Sequence, residues 1–277
     1  MKAIVIDGFG GIDELCKRGL PCPEPAQADV RIRVVAAGVS ALDAAARRGE
    51  IEAAPFSPPW IPGFEVAGTV DAMGPACRSF RIGDRVMALL PHGGGYAEFA
   101  IVRETLVAPL PPSLLFEEAA AIPLDGSAVW SALFAGPDPL DDTGVAIVLG
   151  AEGGAGHIAV QLALSVGARV LADAAPENRE FVEKFGSVEW LEPGSTTGDL
   201  PAPSGVRPRV VDCRGTTPQL ALLTSDLPHE AISSITKTVV QRRLRPRLFK
   251  ILNIAQAREA HKTLESGPVC GKLALTL

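Results

Sequence analysis

The stretch VAIVLGAEGGAG, Val145 to Gly156, runs an apolar strand straight into a glycine-rich turn that opens a helix. Five apolar residues in succession suit a strand buried on both faces. Gly150, Gly153 and Gly156 follow with the spacing GxxGxxG. Gly153 lets the backbone approach a diphosphate, Gly156 lets helix and strand pack closely, and the helix N-terminus offers unpaired N–H groups with a partial positive charge. About 20 residues after the middle glycine comes the second apolar strand such a fold requires, Arg169 to Leu171, ending at Asp173. The arrangement predicts a dinucleotide-binding α/β fold and hydride transfer by a nicotinamide cofactor. A tight strand–helix turn without a ligand is the alternative. Glu152 speaks for it, because a carboxylate beside a diphosphate repels it unless the side chain points to solvent.

Downstream, the pattern continues as a helix from Gly154 to Val166, a helix from Glu177 to Phe185, a short strand at Val188 to Leu191 and a fourth strand at Arg209 to Asp212. A loop, Pro193 to Gly205, precedes that fourth strand. Strands alternating with helices of this length argue for a parallel, doubly wound sheet. Upstream, Val30 to Val34 reads Val-Arg-Ile-Arg-Val, a half-exposed strand. Further strands, Val66 to Asp71, Asp84 to Leu90 and Ala97 to Val102, are separated by Gly, Pro and Asp clusters, which suits a partly open β-barrel. Helical periodicity appears at Phe116 to Ile122 and Val129 to Phe134, and a last helix, Ala255 to Ser266, precedes a last strand, Lys272 to Thr276.

With 277 residues, 47% of them hydrophobic, the chain is long enough for two domains. The net charge is −6 and no basic stripe is interleaved with aromatics, which argues against a nucleic-acid partner. The cluster QRRLRPRLFK, Gln241 to Lys250, reads as a solvated helix end and strand start. The five cysteines, Cys16, Cys22, Cys77, Cys213 and Cys270, fit neither a disulfide framework nor zinc-ligand spacing. MKAIVIDGFG reads as a strand and turn rather than a signal peptide, and no apolar run reaches bilayer length. The cytoplasm is the expected location, with no membrane partner.

Several stretches together resemble the zinc-independent, quinone oxidoreductase-like (zeta-crystallin) branch of the medium-chain dehydrogenase/reductases. They are AAGVSALDAAARRG (Ala36 to Gly49), PGFEVAGTV (Pro62 to Val70), FRIGDRVMALLPHGGGYAEFA (Phe80 to Ala100), LGAEGGAGHIAVQLA (Leu149 to Ala163) and AREAHKTLESGPVCGKLALTL (Ala257 to Leu277). The resemblance implies a GroES-like β-barrel domain, residues 1–117 and 248–277, with a Rossmann domain, residues 118–247, inserted in it. It implies an active site in the cleft between them and NADPH-dependent reduction of a quinone, enone or related small carbonyl compound. Zinc-dependent relatives carry a cysteine and a histidine where this chain has Ser40 and Phe64. Only Glu65 remains, and a lone glutamate cannot hold a catalytic zinc.

The expected cofactor grip is Gly150, Gly153, Gly154, Ala155 and Gly156. Asp173 lies near the place where an acidic residue binds the ribose 2′-hydroxyl of NAD, but one residue early, and one residue on a strand reverses the face. Arg179 stands where it can receive a 2′-phosphate instead, or be an exposed helix residue. The resemblance selects NADPH, with NADH or no dinucleotide at all left open. By the same resemblance the substrate pocket is lined by Ser40, Trp60, Phe64, His92, Asp125 and Ala128. The family has a small apolar residue in place of Asp125 and a threonine in place of Ala128.

Asp125, in an otherwise apolar cleft, is expected to have a raised pKa and to act as general acid or base. A helix N-cap or a residue at the cleft edge is the alternative. Ser40 and His92 are the other candidates for stabilising or protonating a developing enolate. Tyr96 reads as packing, and His157 as an exposed residue in the first turn of the glycine-loop helix.

The second half of the inserted domain is short. Between VVDCRG and RLRP there is no apolar strand, and one βα unit of about 30 residues is missing. In the family, the missing strands help cradle the nicotinamide and form the usual dimer contact, so the oligomeric state stays open. Their loss exposes the fourth or first strand as a sheet edge, with a helix at Ser233 to Arg243 as its expected cover. Glu152, Ala128, Asp125 and the short half also leave a second function open: a redox-inactive relative doing cofactor-independent acid–base chemistry (cyclisation, dehydration or isomerisation) or binding a ligand only.

Overall fold

A hairpin opens the chain, with β1 (Lys2–Ile6) antiparallel to β2 (Leu15–Gly19). The computed structural model describes every residue except 52–55, 193–207, 224–227 and 242. The larger sheet is organised by β3 (Asp29–Val39), which is longer than the alternating run predicts. Its first half alternates because only one face meets the core; Ala36–Val39 is buried throughout because both faces are covered, Ala37 and Val39 by the core of the larger sheet and Ala36 by Ala119 and Ala120 of α2 and its C-terminal end. Helix α1 (Ala41–Arg48) follows, then β4 (Glu65–Met73), β5 (Arg85–Leu89), β6 (Phe99–Arg103) and β7 (Val107–Pro109).

A short helix, α2 (Phe116–Ala119), leads into α3 (Pro123–Phe134). Helix α3 starts six residues before the periodicity at Val129 suggested, with proline at its first position. Then come β8 (Val145–Leu149), α4 (Gly154–Ser165), β9 (Arg169–Asp173), α5 (Arg179–Glu183), β10 (Glu189–Trp190) and β11 (Arg209–Asp212). These four strands form one parallel sheet in the order β10-β9-β8-β11. The loop predicted at Pro193 to Gly205 lies outside the described residues.

After β11 the chain forms α6 (Thr217–Leu223) and α7 (Pro228–Val240). It then returns to the larger sheet as β12 (Leu248–Asn253), α8 (Ala257–Glu265) and β13 (Lys272–Thr276). That sheet has the order β12-β13-β3-β4-β5-β7, with β6 also on β3. Among the described residues nothing pairs with the outer side of β11, where Val210 is exposed. The expected cover is a correction: α7 packs on α3, and the helices that pack on β11 are α3, α4 and α6. Gly126 explains the choice, since α7 brings Ile235 so close to α3 that a Cβ at Gly126 would lie 2.9 Å from Ile235 Cγ1. No helix among the described residues is long and apolar enough to cross a membrane.

Candidate functional site

The glycine bend forms as its spacing requires. Gly150 has φ 72°, open to glycine at no steric cost, and Gly153 N donates to Gly150 O at 3.2 Å. A Cβ on Gly156 would overlap Gly150 O, so only glycine lets α4 lie this close to the end of β8. Gly153 caps α4 in an extended conformation without a side-chain hydrogen bond. The first amides of α4 are therefore free of any side-chain cap and carry the helix's partial positive charge.

His157 corrects the sequence reading, for it is fully buried. Arg247 N donates to its Nε2 at 3.0 Å, which leaves the ring proton on Nδ1, 2.9 Å from Gly153 O. Burial lowers its pKa to about 4 against the bond to Gly153 O, so the ring is neutral. Four residues on, Gln161 Oε1 accepts from Arg245 N. Together the two side chains pin the RLRPR segment to α4 and turn the arginine side chains out to solvent, as the basic cluster was expected to be.

A recess of about 400 Å³ opens beside the bend. One wall is Gly150, Glu152, Gly153, Gly154 and Ala155; the others include Ser40, Asp125, Arg214, Gln219 and Lys272. Its chemistry is concentrated in three buried charges. Lys272 Nζ lies 2.6 Å from Glu65 Oε1 and 2.5 Å from Asp125 Oδ2, with all three side chains at most 3% exposed. Asp125 Oδ1 accepts from Gln219 Nε2 at 2.7 Å. Glu65 Oε2 accepts from Leu124 N at 2.8 Å, which caps an α3 terminus that has no cap of its own. Burial would lower the pKa of Lys272, but Asp125 and Glu65 outweigh it and hold the ammonium charged. For Glu65, burial and the charge of Asp125 outweigh the pull of Lys272 and push it up to about 7.

Asp125 is thus neither an N-cap nor an edge residue. The cleft around it is not apolar, because Lys272 pairs with it. The sequence reading missed Lys272 and Gln219. The available signal was a lysine heading the otherwise apolar run KLALT: a buried cation there needs a carboxylate.

Other predicted residues fall elsewhere. Ser40 lines the recess, but its hydroxyl donates to Asp43 Oδ2 at 2.6 Å and, with Asp43, forms the capping box of α1. That bond engages its proton and argues against a role in enolate stabilisation. Burial pushes Asp43 up to about 6 despite hydrogen bonds from Ser40 and Gly63.

Trp60 and Phe64 belong to an aromatic cluster with Phe56, the Phe56 and Trp60 rings 4.2 Å apart, and neither lines the recess. His92 is exposed; its backbone carbonyl accepts from Trp60 Nε1, and its side chain is not at the recess. Ala128 is buried inside α3, away from the lining. Tyr96 is buried against His261, 3.3 Å from Oη to Nε2. Asp173 stands opposite Leu149 at the end of β9 and is not a lining residue. Arg179 lies 4.8 Å over the Trp190 ring, also outside the lining.

Glu152 neither points to solvent nor faces the bend. It is buried, and its Oε1 accepts from Ala175 N at 3.1 Å and Asn178 Nδ2 at 3.4 Å. Among the described residues no three metal-ligating side chains converge.

Residues 26–112 match the alcohol dehydrogenase GroES-like domain family. The chain is 38% identical over 233 residues to a chloroplast envelope quinone oxidoreductase homolog of Arabidopsis thaliana, covering 79% of this chain and 69% of that one. It is 34% identical over 203 residues to a chloroplastic NADPH-dependent alkenal/one oxidoreductase of the same plant, covering 68% and 51%. The chain thus spans between half and just over two thirds of these relatives. Among solved structures, an alcohol dehydrogenase superfamily protein from Novosphingobium aromaticivorans superposes with a TM-score of 0.84 at 28% identity, covering 100% of this chain and 99% of that one.

Proposed function

The chain belongs to the quinone oxidoreductase-like medium-chain dehydrogenase/reductases, an oxidoreductase family, and from that premise we propose that it reduces a quinone, enone or related small carbonyl compound with hydride from a reduced nicotinamide dinucleotide. One observation carries this reading: the uncapped N-terminus of α4 opens on a recess whose far side holds a buried, charged lysine.

The residues fit the dinucleotide. Gly153, Gly154 and Ala155 present backbone to a diphosphate, and a Cβ on Gly154 would lie 2.8 Å from Asp125 Oδ2, so glycine there is what lets Asp125 and Lys272 come up against the bend. When bound, the nicotinamide supplies hydride to the β-carbon of an enone or to a quinone carbonyl. The product anion then needs a proton. Lys272 Nζ is a proton-bearing atom of the recess wall, and Asp125 and Glu65 hold it in place. Glu65, pushed up to about 7, holds a proton at neutral pH that can return to Lys272. One relative is named for NADPH dependence, which favours NADPH. The residue expected to receive its 2′-phosphate, Arg179, lies on Trp190 instead.

A second reading, acid–base chemistry without a dinucleotide, is favoured by the same buried triad together with the four-stranded sheet. Thermal unfolding with and without NADH and NADPH separates the two. A dinucleotide at 100 times its Kd adds about 2.7 kcal/mol of stability. A clear rise in Tm, with turnover of an enone or quinone only when the dinucleotide is present, supports the reductase. No rise, with turnover of a candidate substrate alone, supports the second reading.

A further inference from the structure

We propose that Glu152 shapes the adenosine end of the recess for a free ribose, so that this chain takes NADH in preference to NADPH. The proposal rests on the reading that a dinucleotide lies along the glycine bend.

The place is right for it. In folds of this kind an acidic residue at the end of the second strand receives the ribose 2′-hydroxyl. Here the second strand is β9, and its own acid, Asp173, does not line the recess. Glu152 does line it, and Ala175 N and Asn178 Nδ2, just beyond β9, hold its Oε1 at 3.1 and 3.4 Å. The carboxylate reaches the ribose position from the glycine bend instead of from the strand.

The chemistry also selects. Glu152 is only 7% exposed, and among the described residues its Oε2 has no hydrogen-bond partner. A ribose hydroxyl brings the proton that this oxygen lacks. A 2′-phosphate carries a charge of about −1.5 to −2 near neutral pH and brings acceptors, so it meets charge with charge.

Among the described residues, no free cation offsets this. The cations lining the recess are Arg214 and Lys272, and both are already paired. Arg214 forks onto Asp212 at 2.9 and 2.7 Å, and Lys272 serves Asp125 and Glu65. The other nearby charges, Asp173 and Glu177, are negative. Arg179 is drawn onto Trp190.

Titration calorimetry of the full chain with NADH and with NADPH tests the assignment, with Glu152→Gln as the variant. Glutamine keeps an acceptor for Ala175 N and removes the charge. NADH is expected to bind the unaltered protein about tenfold or more tightly than NADPH, and Glu152→Gln to bring the ratio toward one by improving NADPH. The unaltered protein gives a second readout that needs no variant: 5′-AMP should compete better than 2′,5′-ADP. Tighter NADPH, or a ratio that Glu152→Gln does not move, overturns the role of Glu152 and leaves the reductase standing. Binding of neither dinucleotide removes the reductase reading, and this one with it.

Discussion

Glu65 ties the barrel strand β4 to the start of α3 and to Lys272 with one carboxylate, and its burial makes that carboxylate a pH probe. Unfolded, it titrates near its ordinary 4.5; folded, burial first and the charge of Asp125 after it push it up to about 7. The folded state therefore binds this proton more tightly. The stability Glu65 contributes is complete below pH 4.5 and is lost as pH rises through about 7. His157 and His261 act the other way, since burial lowers them to about 4 and about 3 from 6.5. Their contribution is lost as pH falls below 6.5. Asp43, pushed up to about 6, overlaps both. Subtracting a Glu65→Gln profile cancels these shared groups, and glutamine still accepts from Leu124 N. In urea unfolding at a series of pH values, wild type minus variant should decline between pH 4.5 and 7 and then level off. A flat difference would show that Glu65 ionises in the folded chain as it does in water, and a rising one that the pull of Lys272 outweighs burial.

At the scale of elements, Gly126 sets two rules in opposition. Alanine in place of a helical glycine gains about 1 kcal/mol of helix propensity. Here the added methyl would lie 2.9 Å from Ile235 Cγ1, which is branched close to its backbone and cannot swing aside. Overpacking of this kind costs about 1–3 kcal/mol, so Gly126→Ala is expected to destabilise on balance. Adding Ile235→Ala removes the nearer obstacle and leaves only Ile122 Cγ2, at 3.2 Å, so a double-mutant cycle by chemical denaturation should show the cost of alanine at 126 falling in that background. Equal costs in both backgrounds would mean that α7 does not press on α3. The same glycine shows why α3 was only half legible. A propensity reading sees PLDG as a turn, whereas the glycine is there for a neighbouring helix that local sequence does not reveal. The strand Val145–Leu149, the glycine bend and the strand Arg209–Asp212 were legible because each is fixed by its own composition. The roles of Asp125 and His157 were not, because their partners, Lys272 and Arg247, lie far along the chain and meet them only after β13 and its approach fold back.

At the scale of the molecule, that return of the chain is what makes a site at all. The sheet of β8–β11 supplies the glycine bend, while the opposing wall, Gly267 to Leu273, arrives from the end of α8 and the start of β13, a strand of the other sheet. Glu152 O accepts from Gly271 N at 2.8 Å, which stitches the two walls together beside the recess. Lys272 then draws β4 and α3 into the same cluster through Glu65 and Asp125. With β11 as the edge strand and no further strand beside it among the described residues, this wall would, on the proposed reading, take on cofactor-holding work that the family's missing strands share. A dinucleotide bound along the bend should therefore order both walls together. In hydrogen exchange, saturating cofactor is expected to slow the amides of Gly150–Ala155 and of Gly267–Leu273 by similar factors. The β1–β2 hairpin, in a separate sheet and outside the recess, should exchange as before. Protection confined to the glycine bend would mean that the ligand lies on the β8–β11 sheet alone, and that Lys272 is too far from it to deliver a proton.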